Sequence, residues 1–107
     1  MEYRKLGRTG LEASVIGFGA ECKMEQAEVN AMVARGAAAG VNIVDCWMSD
    51  PAVRSALGEA LEPTRDQWII QGHIGSTWQD GQYVRTRDLA KAKPAFEDLL
   101  ARLGTDY

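Results

Sequence analysis

Apolar positions along the chain follow two periods, and the switches between them mark the elements. Residues 3–6 and 11–13 are short apolar/polar stretches around Gly7-Arg8-Thr9-Gly10, a turn with glycine at each end, and together they predict a β-hairpin. Residues 14–19 form an apolar run ending in glycines, which suits a buried strand. From Met24 to about Ala39 the period becomes helical, with Val29, Met32, Val33 and Ala37 on one face. Glu25 and Glu28 suit the positive end of that helix, and Gly40 suits its stop. Residues 41–45, Val-Asn-Ile-Val-Asp, predict a second buried strand with a carboxylate at its C-terminal end. Asp50-Pro51 then pairs a natural N-cap with a natural first helical residue. Val53, Ala56, Leu57, Ala60 and Leu61 supply the stripe of this helix, and Pro63 ends it.

A third strand is predicted at 67–71, followed by a long polar, glycine-bearing loop over 72–87. A last helix begins near Asp88 with Leu89, Phe96, Leu99, Leu100 and Leu103 on one face, and Gly104 closes it. Pro94 lies inside that pattern, so a kink is expected there, or a regular helix starting only near Lys93. The order is a hairpin, then strand–helix three times. Such alternation means a parallel sheet of right-handed βαβ units.

Composition narrows the class. A chain of 107 residues with 46% hydrophobic and 25% charged residues is one ordinary α/β domain, not a disordered, collagen-like or low-complexity chain. Twelve basic residues against fifteen acidic give a net charge of −3, so no nucleic-acid partner is expected. No apolar run approaches the ~20 residues that span a bilayer, so no membrane partner is expected either. The first residues lack the apolar core of a secretory signal, and a cytoplasmic location follows by default. Cys22 and Cys46 are far apart and form no CxxC pair, which speaks against a disulfide scaffold or a metal site.

Candidate chemistry gathers at the strand ends. Gly17-Phe18-Gly19 opens like a dinucleotide fingerprint, but Cys22 stands where the third glycine belongs. A tight exit from the strand explains the two glycines as well. Asp45 ends a parallel strand, where α/β folds bind ligands, although a loop-capping role accounts for it equally. Asp50 is a possible second carboxylate whose N-cap role already explains it. His73, the single histidine, lies just beyond the third strand on the same edge as Asp45 and is a candidate acid/base. Trp47, Trp78 and Tyr83 sit in the loops of this edge and either stack on a planar ligand or cover the mouth. Arg85 and Arg87 either hold an anion or pair at the surface.

Several separate stretches resemble one family in order and spacing. Met1 to Leu11 (MEYRKLGRTGL) and Val15-Ile16-Gly17-Phe18-Gly19-Ala20 resemble the N-terminus of the aldo-keto reductase superfamily. Residues 39–45 are similar to its second strand, Leu57-Gly58-Glu59-Ala60-Leu61 to its second helix, and Arg102-Leu103-Gly104-Thr105-Asp106-Tyr107 to the approach to its fourth strand. The resemblance implies an α/β fold in which residues 1–107 are a single truncated domain: the N-terminal hairpin and three βα units of a (β/α)8 TIM barrel. It implies NADPH-dependent reduction of a small carbonyl substrate. That family works with an aspartate, a tyrosine, a lysine and a histidine. Position by position Asp45 matches the aspartate, the tyrosine falls on Asp50, the lysine falls on His73, and the histidine belongs beyond Tyr107. Gln71 to Trp78 (QGHIGSTW) resembles a subgroup whose full-length members carry a ferredoxin-like 4Fe-4S tail; no cluster is expected in this chain.

For the cofactor the resemblance implies Gly19, Ala20 and Asp45, the phosphates being held mainly by later strands. NADPH binding and NADPH-dependent catalysis by these residues alone are therefore not expected. Three strands of eight leave open edges, through which self-association is expected. The alternative is a non-catalytic product of a shortened gene, acting as a small interaction module or a relic.

Overall fold

The computed structural model describes residues 1–107. Strands β1 (Tyr3–Lys5) and β2 (Glu12–Ser14) pair antiparallel as the expected hairpin. Asn42 fastens it: its side-chain oxygen accepts from Ser14 N at 2.7 Å, and its amide donates to Glu12 O at 2.9 Å. The Tyr3 hydroxyl adds a bond to Gly40 O at 2.7 Å. The hairpin therefore closes the end of the sheet at which the second parallel strand begins.

The parallel sheet has the order β3 (Phe18–Gly19), β4 (Ile43–Cys46), β5 (Ile69–Gly72). β3 is shorter than the apolar run suggests, because residues 15–17 are not in the sheet. Val15 N bonds to Glu2 O and Ser14 Oγ to Ile16 O, which keeps this stretch with the hairpin and leaves Ile16 61% exposed. β5 likewise starts later than expected: a 3-10 turn over Glu62–Gln67 carries Pro63 and ends only at Trp68.

Helix α1 (Gln26–Ala38) follows β3, closed at its start by a reciprocal Glu25–Glu28 capping box. Helix α2 (Pro51–Leu61) follows β4, and Asp50 caps it by accepting from Ala52 N at 2.8 Å. Gly58 lies where α2 meets the end of the last helix: a Cβ there would come within 1.9 Å of Arg102 O, so only glycine fits.

Helix α3 (Leu89–Arg102) runs from an Asp88 cap through Pro94 without a break, so it does not start late near Lys93. The missing N–H removes the bond to the Ala90 carbonyl, which belongs to the first turn. Burial of Ala92 and Leu99 on either side of the proline keeps the helix continuous.

The core lies between the sheet and the helices, with Val44 and Cys46 of β4 fully buried against Leu57, Leu61, Leu99, Leu103 and Trp68. Side chains alternate across a strand, so Ile43 and Asp45 face the opposite, inner side. In-register partners share a face, which puts Ile69, Gln71 and Gly19 there too. The inner face is thus apolar near the hairpin and polar at the strand C-termini.

The segment expected as a loop over 72–87 is not structureless. It contains a second antiparallel hairpin, β6 (Ser76–Gln79) with β7 (Gln82–Arg85), turning at Asp80-Gly81. Both turn residues have positive φ, +51° and +77°, the combination a two-residue hairpin turn demands.

Candidate functional site

Asp45 leaves the C-terminal end of β4 on the inner face, and His73 follows the last residue of β5. The structure brings them together: His73 Nε2 lies 2.8 Å from Asp45 Oδ1. The side chains are 42% and 39% exposed, so the pair is open to a reactant on the inner face. With Nε2 turned to the carboxylate, Nδ1 is left as the free edge of the imidazole.

The other sequence candidates are placed differently. Asp50 is engaged as the cap of α2 and takes no part in the Asp45–His73 contact. Gly19 is the register partner of Asp45. Ala20 is buried, and its N–H donates to Asp45 O at 2.8 Å. Beside these two residues a cavity of about 240 Å³ opens between α1 and α2, lined by apolar side chains such as Met32 and Val53; it includes neither Asp45 nor His73.

The dinucleotide implied by the sequence is a poor fit to these groups alone. No cationic side chain is among them, and the Ala20 amide already has its partner. A Cβ on Gly19 would meet only ordinary contacts with Glu21, so the glycine shapes no phosphate cradle.

Sequence reasoning missed what fixes the strand-end loops. Arg54 of α2 is 1% exposed. Its guanidinium donates to Met48 O at 3.1 Å, Ala95 O at 2.8 Å and Ser76 O at 3.5 Å, and reaches Asp98 Oδ2 at 3.3 Å. One side chain thereby ties the loop after Asp45, the strand after His73 and helix α3. Ser49 Oγ to Thr77 O at 2.7 Å and Ser76 Oγ to Trp47 O at 2.5 Å repeat the connection. Buried charge on this scale is tolerated only with such partners.

Cys46 lies behind Asp45 on the helix side. Burial pushes its thiol up from 9.0 to about 11; Arg54 opposes this and Asp45 adds to it. The thiol is inert at neutral pH and belongs to the packing rather than to the site.

No protein-family model and no curated protein matches the sequence. Solved structures do match. Two, assigned as aldo-keto reductases from Pseudomonas aeruginosa, align over 97% of this chain with TM-scores of 0.83 and 0.82 at 29% and 30% identity, and 43% and 42% of their own chains are covered. The holo form of aldo-keto reductase AKR11C1 from Bacillus halodurans aligns over the whole chain, with TM-score 0.84 and 26% identity, and 38% of it is covered. The structural neighbours are thus aldo-keto reductases, which supports that superfamily. The chain spans about two-fifths of their length, from 38% to 43%. Its hairpin and three βα units are consistent with part of a (β/α)8 barrel. No helix is long and apolar enough to cross a membrane.

Proposed function

We propose that this chain carries the acid/base part of an aldo-keto-reductase-type site, in which a small carbonyl compound is reduced at the expense of NADPH. The observation that carries this reading is the 2.8 Å Asp45–His73 contact at the strand C-termini, the end of an α/β sheet where ligands bind. Asp45 fixes the imidazole and stabilises it when charged. The free Nδ1 edge of the charged His73 ring delivers a proton to the carbonyl oxygen as the alkoxide forms, the general-acid role that histidine most often takes. A nicotinamide would supply the hydride to the carbonyl carbon. The groups that grip its phosphates belong, on this reading, to further βα units of the kind the structural neighbours contain. The resemblance of the QGHIGSTW stretch supports a relation to the subgroup bearing a 4Fe-4S tail, and a cytoplasmic location suits such a reductase.

A reductant without phosphates tests the pair separately from the cofactor site. N-benzyl-1,4-dihydronicotinamide and trifluoroacetophenone are incubated with the chain, and oxidation of the dihydropyridine is followed by absorbance. The expected result is a rate above buffer that falls about 100-fold, or to the buffer rate, in His73→Ala, since a general acid contributes roughly 10²–10⁴-fold. NADPH at equal concentration is expected to do no better. Equal rates for the chain and His73→Ala would overturn the catalytic reading.

One observation favours a second, non-catalytic role. β3 and β5 each pair only with β4, so both outer edges of the sheet are free for other strands. Self-association through these edges is the form this role takes. Sedimentation showing a monomer throughout the micromolar range would count against it.

A further inference from the structure

Away from Asp45 and His73, at the other end of β5, the chain holds a cation whose donors are not used. Arg65 lies in the 3-10 turn before β5 and donates through Nη1 to Trp68 O at 2.9 Å. Its Nε and Nη2 are shut off from solvent and make no hydrogen bond; every other buried side-chain polar atom of the chain has a partner. These two nitrogens form one edge of the guanidinium, the fork that takes both oxygens of a carboxylate side by side. Buried donors are satisfied almost everywhere in proteins, so an empty fork marks a missing acceptor.

Arg65 also lines a cavity of about 420 Å³ between the C-terminal ends of α2 and α3, and Glu59, Glu62 and Gly104 line it too. The volume falls in the range of small-molecule sites. Arg102, the other cation of the lining, is already held by Asp98 and by Ser55 Oγ. Glu59, Glu62 and Arg65 take part in no ion pair. The cavity thus presents one unpaired cation and two unpaired, exposed carboxylates. A plain anion would suit Arg65 and be repelled by the glutamates, and a plain cation would meet the reverse. We propose that this cavity binds a small α-amino acid, its carboxylate on the Nε–Nη2 edge of Arg65 and its ammonium at Glu59 and Glu62. The ligand supplies the acceptor that the fork lacks and a charge of each sign where the opposite one stands unpaired. Tyr107 lies over the guanidinium, with its ring centroid 5.2 Å from the central carbon, and is itself 71% exposed. Its ring therefore turns outward to admit the ligand without disturbing the core.

The test is binding to the whole chain, read by ligand-observed saturation-transfer NMR on the methyl signals of three probes. L-leucine carries both charges, 4-methylpentanoate lacks the ammonium, and 3-methylbutylamine lacks the carboxylate. Leucine is expected to bind at least about tenfold tighter than either, since each charge makes its own charge-assisted bonds. Arg65→Lys, which keeps the charge and loses the fork, should erase most of the advantage over 3-methylbutylamine. The double variant Glu59→Gln, Glu62→Gln should erase most of the advantage over 4-methylpentanoate. Leucine binding no tighter than both single-charge probes in the unaltered chain, or an advantage over 3-methylbutylamine that survives Arg65→Lys, would overturn the proposal.

Discussion

The molecule contains two hairpins at opposite ends of one small parallel sheet, and they are held by opposite means. The first, β1–β2, is tied by neutral groups: Asn42 with Ser14 and Glu12, and the Tyr3 hydroxyl with Gly40. Most of its residues are exposed. The second, β6–β7, is anchored by a fully buried guanidinium with partners on three other segments. A plug that only has to cover a sheet end tolerates loose, solvated bonds. A hairpin that has to set the geometry of loops beside Asp45 and His73 needs a rigid anchor, and a buried charge with fixed acceptors supplies one.

The sharpest way to break this comparison is to remove the anchor. Arg54→Ala leaves the Met48, Ala95 and Ser76 carbonyls without their donor and opens a void. The expected loss is about 3–5 kcal/mol, a large share of the roughly 5–15 kcal/mol that holds a domain of this size. Urea unfolding measures it. A loss below about 1 kcal/mol would show that the upper hairpin is held by its serines alone.

A second effect belongs to the same region. Cys46, beside Arg54, has its thiol raised by burial to about 11. The folded state therefore holds this proton more tightly than the unfolded chain. The contribution is fully present below pH 9 and is lost as pH rises from 9 to 11, costing roughly 2–3 kcal/mol at the upper limit. Cys46→Ala should flatten the stability profile in that window. At pH 8, a thiol reagent should modify exposed Cys22 and leave buried Cys46 untouched in the folded chain.

The lower hairpin should yield a smaller and purely structural response. Asn42→Ala removes two side-chain bonds to β2 and is expected to cost about 1–2 kcal/mol. The His73 ring resonances should not move. Their movement would mean that the two ends of the sheet are coupled rather than held independently.

How much of this was legible in the sequence also differs between the two ends. The first hairpin, the three strand–helix alternations and the Asp50 cap were readable because each rests on local signals: paired glycines, periodicity, Asp-Pro. The shared edge of Asp45 and His73 followed from topology, since they lie at and just beyond the C-termini of adjacent parallel strands; their direct contact did not. The second hairpin was obscured by its polar, glycine-bearing setting, although Asp80-Gly81 between Thr77-Trp78 and Tyr83-Val84 is a strong local turn signal. Arg54 was not legible at all. It neighbours the apolar stripe of α2, and its acceptors are backbone carbonyls from three other segments, which no local pattern encodes. The continuity of α3 through Pro94 has the same origin, because tertiary burial on both sides outweighs one missing bond.

The smallest expected effect tests whether the turn itself pins the upper hairpin. Gly81 adopts φ +77°, which an L side chain enters at a cost, yet a Cβ there meets nothing within 4 Å. Gly81→Ala thus adds backbone strain without a clash and should destabilise by about 1 kcal/mol. Because Arg54, Ser49 and Ser76 hold the hairpin at its other end, the strain should stay in the turn. Trp47 meets Tyr83 of the hairpin edge-on, with ring centroids 5.2 Å apart, and the near-ultraviolet circular dichroism to which this pair contributes should then be unchanged while the unfolding midpoint falls slightly. If the aromatic signal collapses with this mild change, the turn rather than the buried arginine fixes the hairpin, and the contrast between the two ends rests on turn chemistry instead of buried charge.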